Sequence, residues 1–121
     1  MIKNFLLAGF GGFIGSMLRY AAGLLLRSGA FPVATLSVNI TGSFIIGLLF
    51  GLISKDPDFS LNWKLFLTTG ICGGFTTFSA FSVENLQLMQ NDKYFLLLIY
   101  ICSSILFGIA AAWMGFKLAT N

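Results

Sequence analysis

The stretch TTGICGGFTTFSAFSVE, residues 68–84, decides how the rest of this chain is read. It is apolar enough to belong to a helix, yet Gly70, Gly73 and Gly74 weaken helical order. Thr76, Thr77 and Ser79 can bond backbone carbonyls in place of the helical amides. A local break is expected here. In a membrane such a break survives only when buried in protein or lining a cavity, because lipid offers nothing to the freed N–H and C=O groups. Freed carbonyls can hold a small cation, and freed N–H groups an anion.

The surroundings of this stretch make a membrane the expected setting. Of 121 residues, 57% are hydrophobic and only 9% charged, where a soluble domain carries about 25% charged residues. A fold of 13.1 kDa has no interior large enough to hide that surplus. Four apolar stretches approach or exceed the roughly 20 residues a helix needs to cross a bilayer. They run over residues 4–27, 31–54, 63–89 and 94–117. The expected fold is therefore an all-α integral membrane protein, a single transmembrane domain over residues 1–121 with a break in its third span. Lys3 ahead of an apolar run resembles a leader peptide superficially. The run is glycine-rich and contains Arg19, so it reads as the first span.

The connections are short. Residues 27–32 join the first two spans, KDPDFSLN (55–62) the next two, and QNDK (90–93) the last two. Pro57 with Asp56 and Asp58 favours a turn. Function must then lie within the membrane. One side would carry Lys3, Lys55, Lys64 and Lys117, the other Arg27 and Lys93. That bias is weak under the positive-inside rule. It fits a slight preference for cytoplasmic termini as well as insertion both ways up. The net charge of +3 comes from basic residues scattered singly, a pattern of span flanks and not of a nucleic-acid surface.

The chain has no histidine, and Cys72 and Cys102 stand in no metal-type or redox-type spacing. No nucleophile–base pair is visible either, so an enzyme is not expected. Gly11 and Gly15, Gly47 and Gly51, and Gly70 and Gly74 are GxxxG pairs. Such spacing lets backbones approach, within one chain or between copies.

Polar groups at membrane depth line a path or hold helices together. In TLSVNITGS (35–43), Thr35, Asn39 and Ser43 are one turn apart on one face. The Asn39 amide could face a passing anion or bond a neighbouring helix. Phe78 and Phe81 share a face of the third span, where lipid contact or packing is the ordinary role. Tyr100 and Ser104 place two hydroxyls on a stripe of the fourth, which would equally serve helix–helix bonding. Glu84 and Arg19 are the only acidic and basic groups well inside the spans. Neutral donors without a fixed carboxylate suit an anion better than a cation, and phenylalanine ring edges carry partial positive charge.

Three motifs together resemble the Fluc (CrcB) family of fluoride channels. GGFTTFSAFS (73–82) resembles its GGxTTFSTFS signature, VNITGSFIIG (38–47) its VNxxGSFxxG, and GGFIGSMLRY (11–20) its GGxxGAxxRY. Tyr100 falls where that family places a fourth-span pore tyrosine. The resemblance covers essentially the whole chain, in order. It implies an antiparallel, dual-topology homodimer with two pores along the subunit interfaces. The implied activity is passive, selective fluoride export across the cytoplasmic membrane of a bacterium or other microbe, relieving fluoride toxicity.

Carried over by position, the resemblance makes Asn39 a fluoride donor and Phe78 and Phe81 ring-edge contacts. Thr35, Ser79, Tyr100 and Ser104 contribute along the path, with Arg19 in the vestibule and Glu84 near the pore mouth. It further implies a structural sodium ion on the dimer axis, held by the backbone carbonyls of Gly73 and Thr76, and no organic cofactor. Partners would be fluoride, membrane lipid and a second copy of the chain, with no nucleic acid. Two departures stand out: Ala80 replaces a hydroxyl of the signature, and Gly108 stands where some relatives carry serine. Two alternatives remain at this level. One is a small proton-coupled multidrug exporter, which would need a first-span carboxylate where this chain has Arg19. The other is a non-transporting membrane assembly subunit.

Overall fold

Pro32 sits at the N-cap of the second helix, so that helix starts at Val33, two residues after the apolar stretch begins. Proline is tolerated there because the first amides of a helix have no helical acceptor anyway. In the computed structural model, which describes residues 1–27 and 29–121, the described chain is helical apart from its termini, its connections and Thr76–Thr77. Helix α1 covers Ile2–Leu25, α2 Val33–Lys55, and α3 Leu61–Lys64. The chain continues without interruption through a π-helical segment, Leu65–Cys72, into α4, Gly73–Phe75. Helix α5 spans Phe78–Gln90 and α6 Tyr94–Thr120. The connection expected over residues 27–32 includes Ser28, which lies outside the described residues.

Among the described residues, four helical stretches are long and apolar enough to cross a membrane: Ile2–Leu25, Val33–Lys55, Leu61–Gln90 and Tyr94–Thr120. Large apolar side chains such as Phe5, Phe13, Phe95, Leu106 and Ile109 are exposed on the outside. The buried positions include small residues: Gly11, Gly15, Gly47, Gly51, Ala111 and Gly115. That inversion suits lipid as the solvent, where close backbone packing replaces burial of large apolar groups.

Alternate helices pack side by side and run parallel. Helix α1 lies along the first half of the third span. A methyl group at Gly11 would meet the Phe66 carbonyl and Gly70, and one at Gly15 would overlap the Ile71 carbonyl. Gly74 in turn lies against the backbone of Gly12. Helices α2 and α6 pair in the same way, with Gly47 on Ala112, Gly51 on Phe116 and Ala119, and Gly115 on Phe44. All three GxxxG pairs are thus occupied within the chain.

The turns follow local chemistry. The Asp58 amide donates to Asp56 Oδ1 at 3.0 Å and the Phe59 amide to the Asp56 carbonyl at 3.1 Å, closing the KDPDFSLN turn. Helix α5 ends in a Schellman motif, with Lys93 N–H on the Leu88 carbonyl (2.8 Å) and Asp92 N–H on that of Met89 (3.1 Å). Asp92 carries the left-handed φ of 58° that this motif needs.

Candidate functional site

The polar features of the site begin where the third span changes its hydrogen bonding. The Gly73 amide donates to the carbonyls of Thr68 and Gly70, the former a π-type bond. Thr76 sends both its amide (3.1 Å) and its hydroxyl (3.0 Å) to the Cys72 carbonyl. Thr76 (φ −81°, ψ 156°) and Thr77 (φ −149°, ψ 124°) are then extended. Thr77 starts α5 as a side-chain N-cap, its Oγ1 accepting from the Ala80 amide at 3.1 Å.

Asn39 of α2 faces this extended pair. Its Oδ1 accepts from the Thr77 amide at 2.8 Å, and its Nδ2 donates to the Thr77 carbonyl at 3.1 Å. The side-chain amide thereby does what a neighbouring β-strand would do. A buried backbone needs such partners where water is absent. Of the two roles open to Asn39 in the sequence, bonding to another helix is therefore observed. One of its two Nδ2 hydrogens is used in this way. The diverted Thr77 amide is also the one that would close on Gly73 in a regular helix, so the Gly73 carbonyl loses its helical donor.

Beside Asn39 lies a groove of about 400 Å³, bordered by Ser43, Thr68, Gly73, Thr76 and Phe78 among others. Phe78 is 77% exposed at its rim. The Phe81 ring lies 5.6 Å from that of Phe78 and 4.9 Å from that of Tyr100, whose other side meets Phe31 edge-on at 5.6 Å. Phe78, Phe81 and Tyr100 thus form a row. Phe31 gives no sign in the sequence of a partner in α6, because it stands next to Pro32 at the end of a connection.

At the other end of this row stands Glu84. The Thr35 hydroxyl donates to its Oε2 at 2.7 Å and the Tyr100 phenol to its Oε1 at 2.8 Å. Three spans meet on one carboxylate, and the Tyr100 side chain is fully buried there. Glu84 borders a second cavity of about 410 Å³ with Arg19, Arg27, Thr35 and Thr77, and a third of about 360 Å³ with Arg27 and Lys93. Both cavities carry basic side chains beside Glu84.

The structure brings Thr35, Asn39, Phe78, Phe81, Glu84 and Tyr100 into one continuous arrangement. Ser104 Oγ is buried with no hydrogen-bond partner, one helical turn from Tyr100. Ser79 is exposed beside Phe78 and takes no part in these bonds. Arg19 donates from Nε to the Gly74 carbonyl at 3.2 Å. Asn85, which carried no signal in the sequence, bonds the Phe81 carbonyl through Nδ2 at 2.9 Å and leaves its Oδ1 buried without a partner. Among the described residues no group of acidic, cysteine or histidine side chains is arranged to hold a metal ion.

The family model described as "CrcB-like protein, Camphor Resistance (CrcB)" matches residues 6–116. A protein named fluoride-specific ion channel FluC from Azobacteroides pseudotrichonymphae is 46% identical, over 98% of this chain and 97% of its own length. The proteins of that name from Flavobacterium psychrophilum and Leptospira interrogans are each 42% identical. Their alignments cover 98% of this chain, and 98% and 96% of their own lengths.

Proposed function

The chain belongs to the CrcB family, and we propose that it is a fluoride-selective channel that lets the ion leave the cell down its gradient. It is a multi-pass protein of the cell membrane and not an enzyme. The observation that carries the reading is the extended Thr76–Thr77 backbone within the third span, clamped at Thr77 by Asn39 beside an open groove. Lipid cannot cover such a wall. A second copy, inserted the other way up, would cover it and complete a pathway on each side of the interface. The channel names of the relatives favour this over an exporter or an assembly subunit.

Fluoride holds its water tightly, so a path must offer close substitutes for that shell at every step. The spare amide hydrogen of Asn39 would be one. The Ser104 hydroxyl, buried and without a partner, would be another. Thr35, Ser79 and Tyr100 would supply further hydroxyls, and the rings of Phe78 and Phe81 their positive edges. Thr35 and Tyr100 hold their hydrogens on Glu84, so an anion reaching them exchanges with a carboxylate and is not bound deeply. Conduction requires such shallow sites. Arg27 and Lys93 would gather anions in the cavity they share, and Arg19 borders the adjoining cavity.

The residues present also fit a structural sodium ion. Neutral carbonyls of unwound backbone are the usual ligands for it in membrane helices. The Gly73 carbonyl has lost its helical donor, and Thr76 is extended beside it. With the same pair from the second copy, these carbonyls would hold the ion, which would supply positive charge to join the two chains.

The test is efflux from liposomes containing only this protein. Fluoride should leave rapidly and chloride should stay. Equal leakage of both ions, or passage of neither, would overturn the reading.

A further inference from the structure

On α1, Gly11, Gly15 and Arg19 follow one another at intervals of four residues and share a face. Gly11 rests on Phe66 and Gly70, and Gly15 on the backbone of Ile71, Gly74 and Phe75. One turn further on, the neighbouring helix ends, since Thr76 and Thr77 are extended. At that level α1 presents an arginine in place of a glycine. Its Nε donates to the Gly74 carbonyl at 3.2 Å. In a regular helix that carbonyl would receive the amide of Phe78, which instead begins α5. Helix carbonyl ends carry partial negative charge and need donors, and lipid supplies none.

We propose that Arg19 is a positioning residue, whose Nε–H closes the carbonyl end of the interrupted third span, and that this bond is what the pathway requires of it. The rival explanation is its charge, which would draw anions into the cavity it shares with Arg27 and Glu84. The two separate by substitution. The Nε2 of glutamine is attached to Cδ, as the Nε of arginine is. Arg19→Gln therefore keeps an N–H donor at the same place and removes the charge. Arg19→Met keeps the length and removes both.

The full-length protein is compared as wild type, Arg19→Gln and Arg19→Met, by thermal unfolding in detergent and by fluoride efflux from liposomes at low and high salt. Loss of the bond should lower flux and melting temperature in Arg19→Met. Arg19→Gln should restore both, with flux about tenfold above Arg19→Met and the salt dependence of the wild type. Equal loss of flux in the two variants, with a wild-type melting curve for Arg19→Gln, would overturn the proposal in favour of charge. A wild-type melting curve for Arg19→Met would overturn it as well. Should Arg19→Met fail to fold, Arg19→Gln alone decides through its melting curve and salt dependence. The flux arm rests on the channel reading; a wild-type protein that passes no fluoride sinks that reading, while the melting arm still judges the bond.

Discussion

The phenol of Tyr100 donates to Oε1 of Glu84 at 2.8 Å, joining α6 to the second half of the third span. Thr35 closes the other carboxylate oxygen at 2.7 Å from α2. Two hydroxyls that the family resemblance places along the anion path are thus already held by the side chain of Glu84.

This arrangement has a measurable strength. Hydrogen bonds between membrane helices average about 0.6 kcal/mol in double-mutant cycles, whereas bonds to charged groups reach about 1.5–3 kcal/mol. A cycle of Tyr100→Phe and Glu84→Leu, each of which removes the bond, should show a coupling in unfolding stability above the membrane average. A coupling near zero would mean that the carboxylate is satisfied by something other than Tyr100.

Asn39→Asp should abolish fluoride flux. The carboxylate could still accept from the Thr77 amide but would face the Thr77 carbonyl with an oxygen in place of a donor. A fixed charge 4 Å from a passing anion costs about 4 kcal/mol at an effective dielectric of 20, enough to lower occupancy roughly a thousandfold. Unaltered flux in liposomes would remove Asn39 from the path.

The two phenylalanines should separate in stability. Phe81 packs on Tyr100, whereas Phe78 is largely exposed. Phe81→Ala should cost about 1–3 kcal/mol in unfolding, and Phe78→Ala much less. Both should reduce flux if both rings face the ion. Equal destabilisation would show that Phe78 is covered in the assembled protein as fully as Phe81.

Glycine substitutions should divide by position. Gly15→Ala places a methyl group inside the contact with the third span and should prevent a monodisperse preparation. Gly9→Ala, with nothing within 4 Å of the added methyl, should melt at or above the wild-type temperature. Comparable yields of the two variants would contradict the observed face of α1.

Asp92→Gly should raise stability by about 0.5–1 kcal/mol, since the residue has a φ of 58° that costs an L-side chain and suits glycine. A lower melting temperature would indicate that the Asp92 side chain does more than end the helix.

The chain itself determined that four helices would cross a membrane. Apolar length is a local property, and lipid requires each span to satisfy its own backbone. Within residues 68–84 the backbone is extended at Thr76 and Thr77, in a stretch of glycines and threonines that are weak helix formers. The turns at Asp56–Phe59 and Asn91–Lys93 were legible because turn chemistry is also local.

Partners across the bundle were decided only by tertiary structure. Asn39 lies 38 residues from Thr77, Thr35 lies 49 from Glu84, and Arg19 lies 55 from Gly74. Periodicity shows which side of a helix a residue occupies, but not which neighbour that side meets. The GxxxG spacing allowed contact within or between chains, and only packing assigned all three pairs to the interior. The orientation of one helix against another is a sum over many weak contacts, and no single stretch of residues contains it.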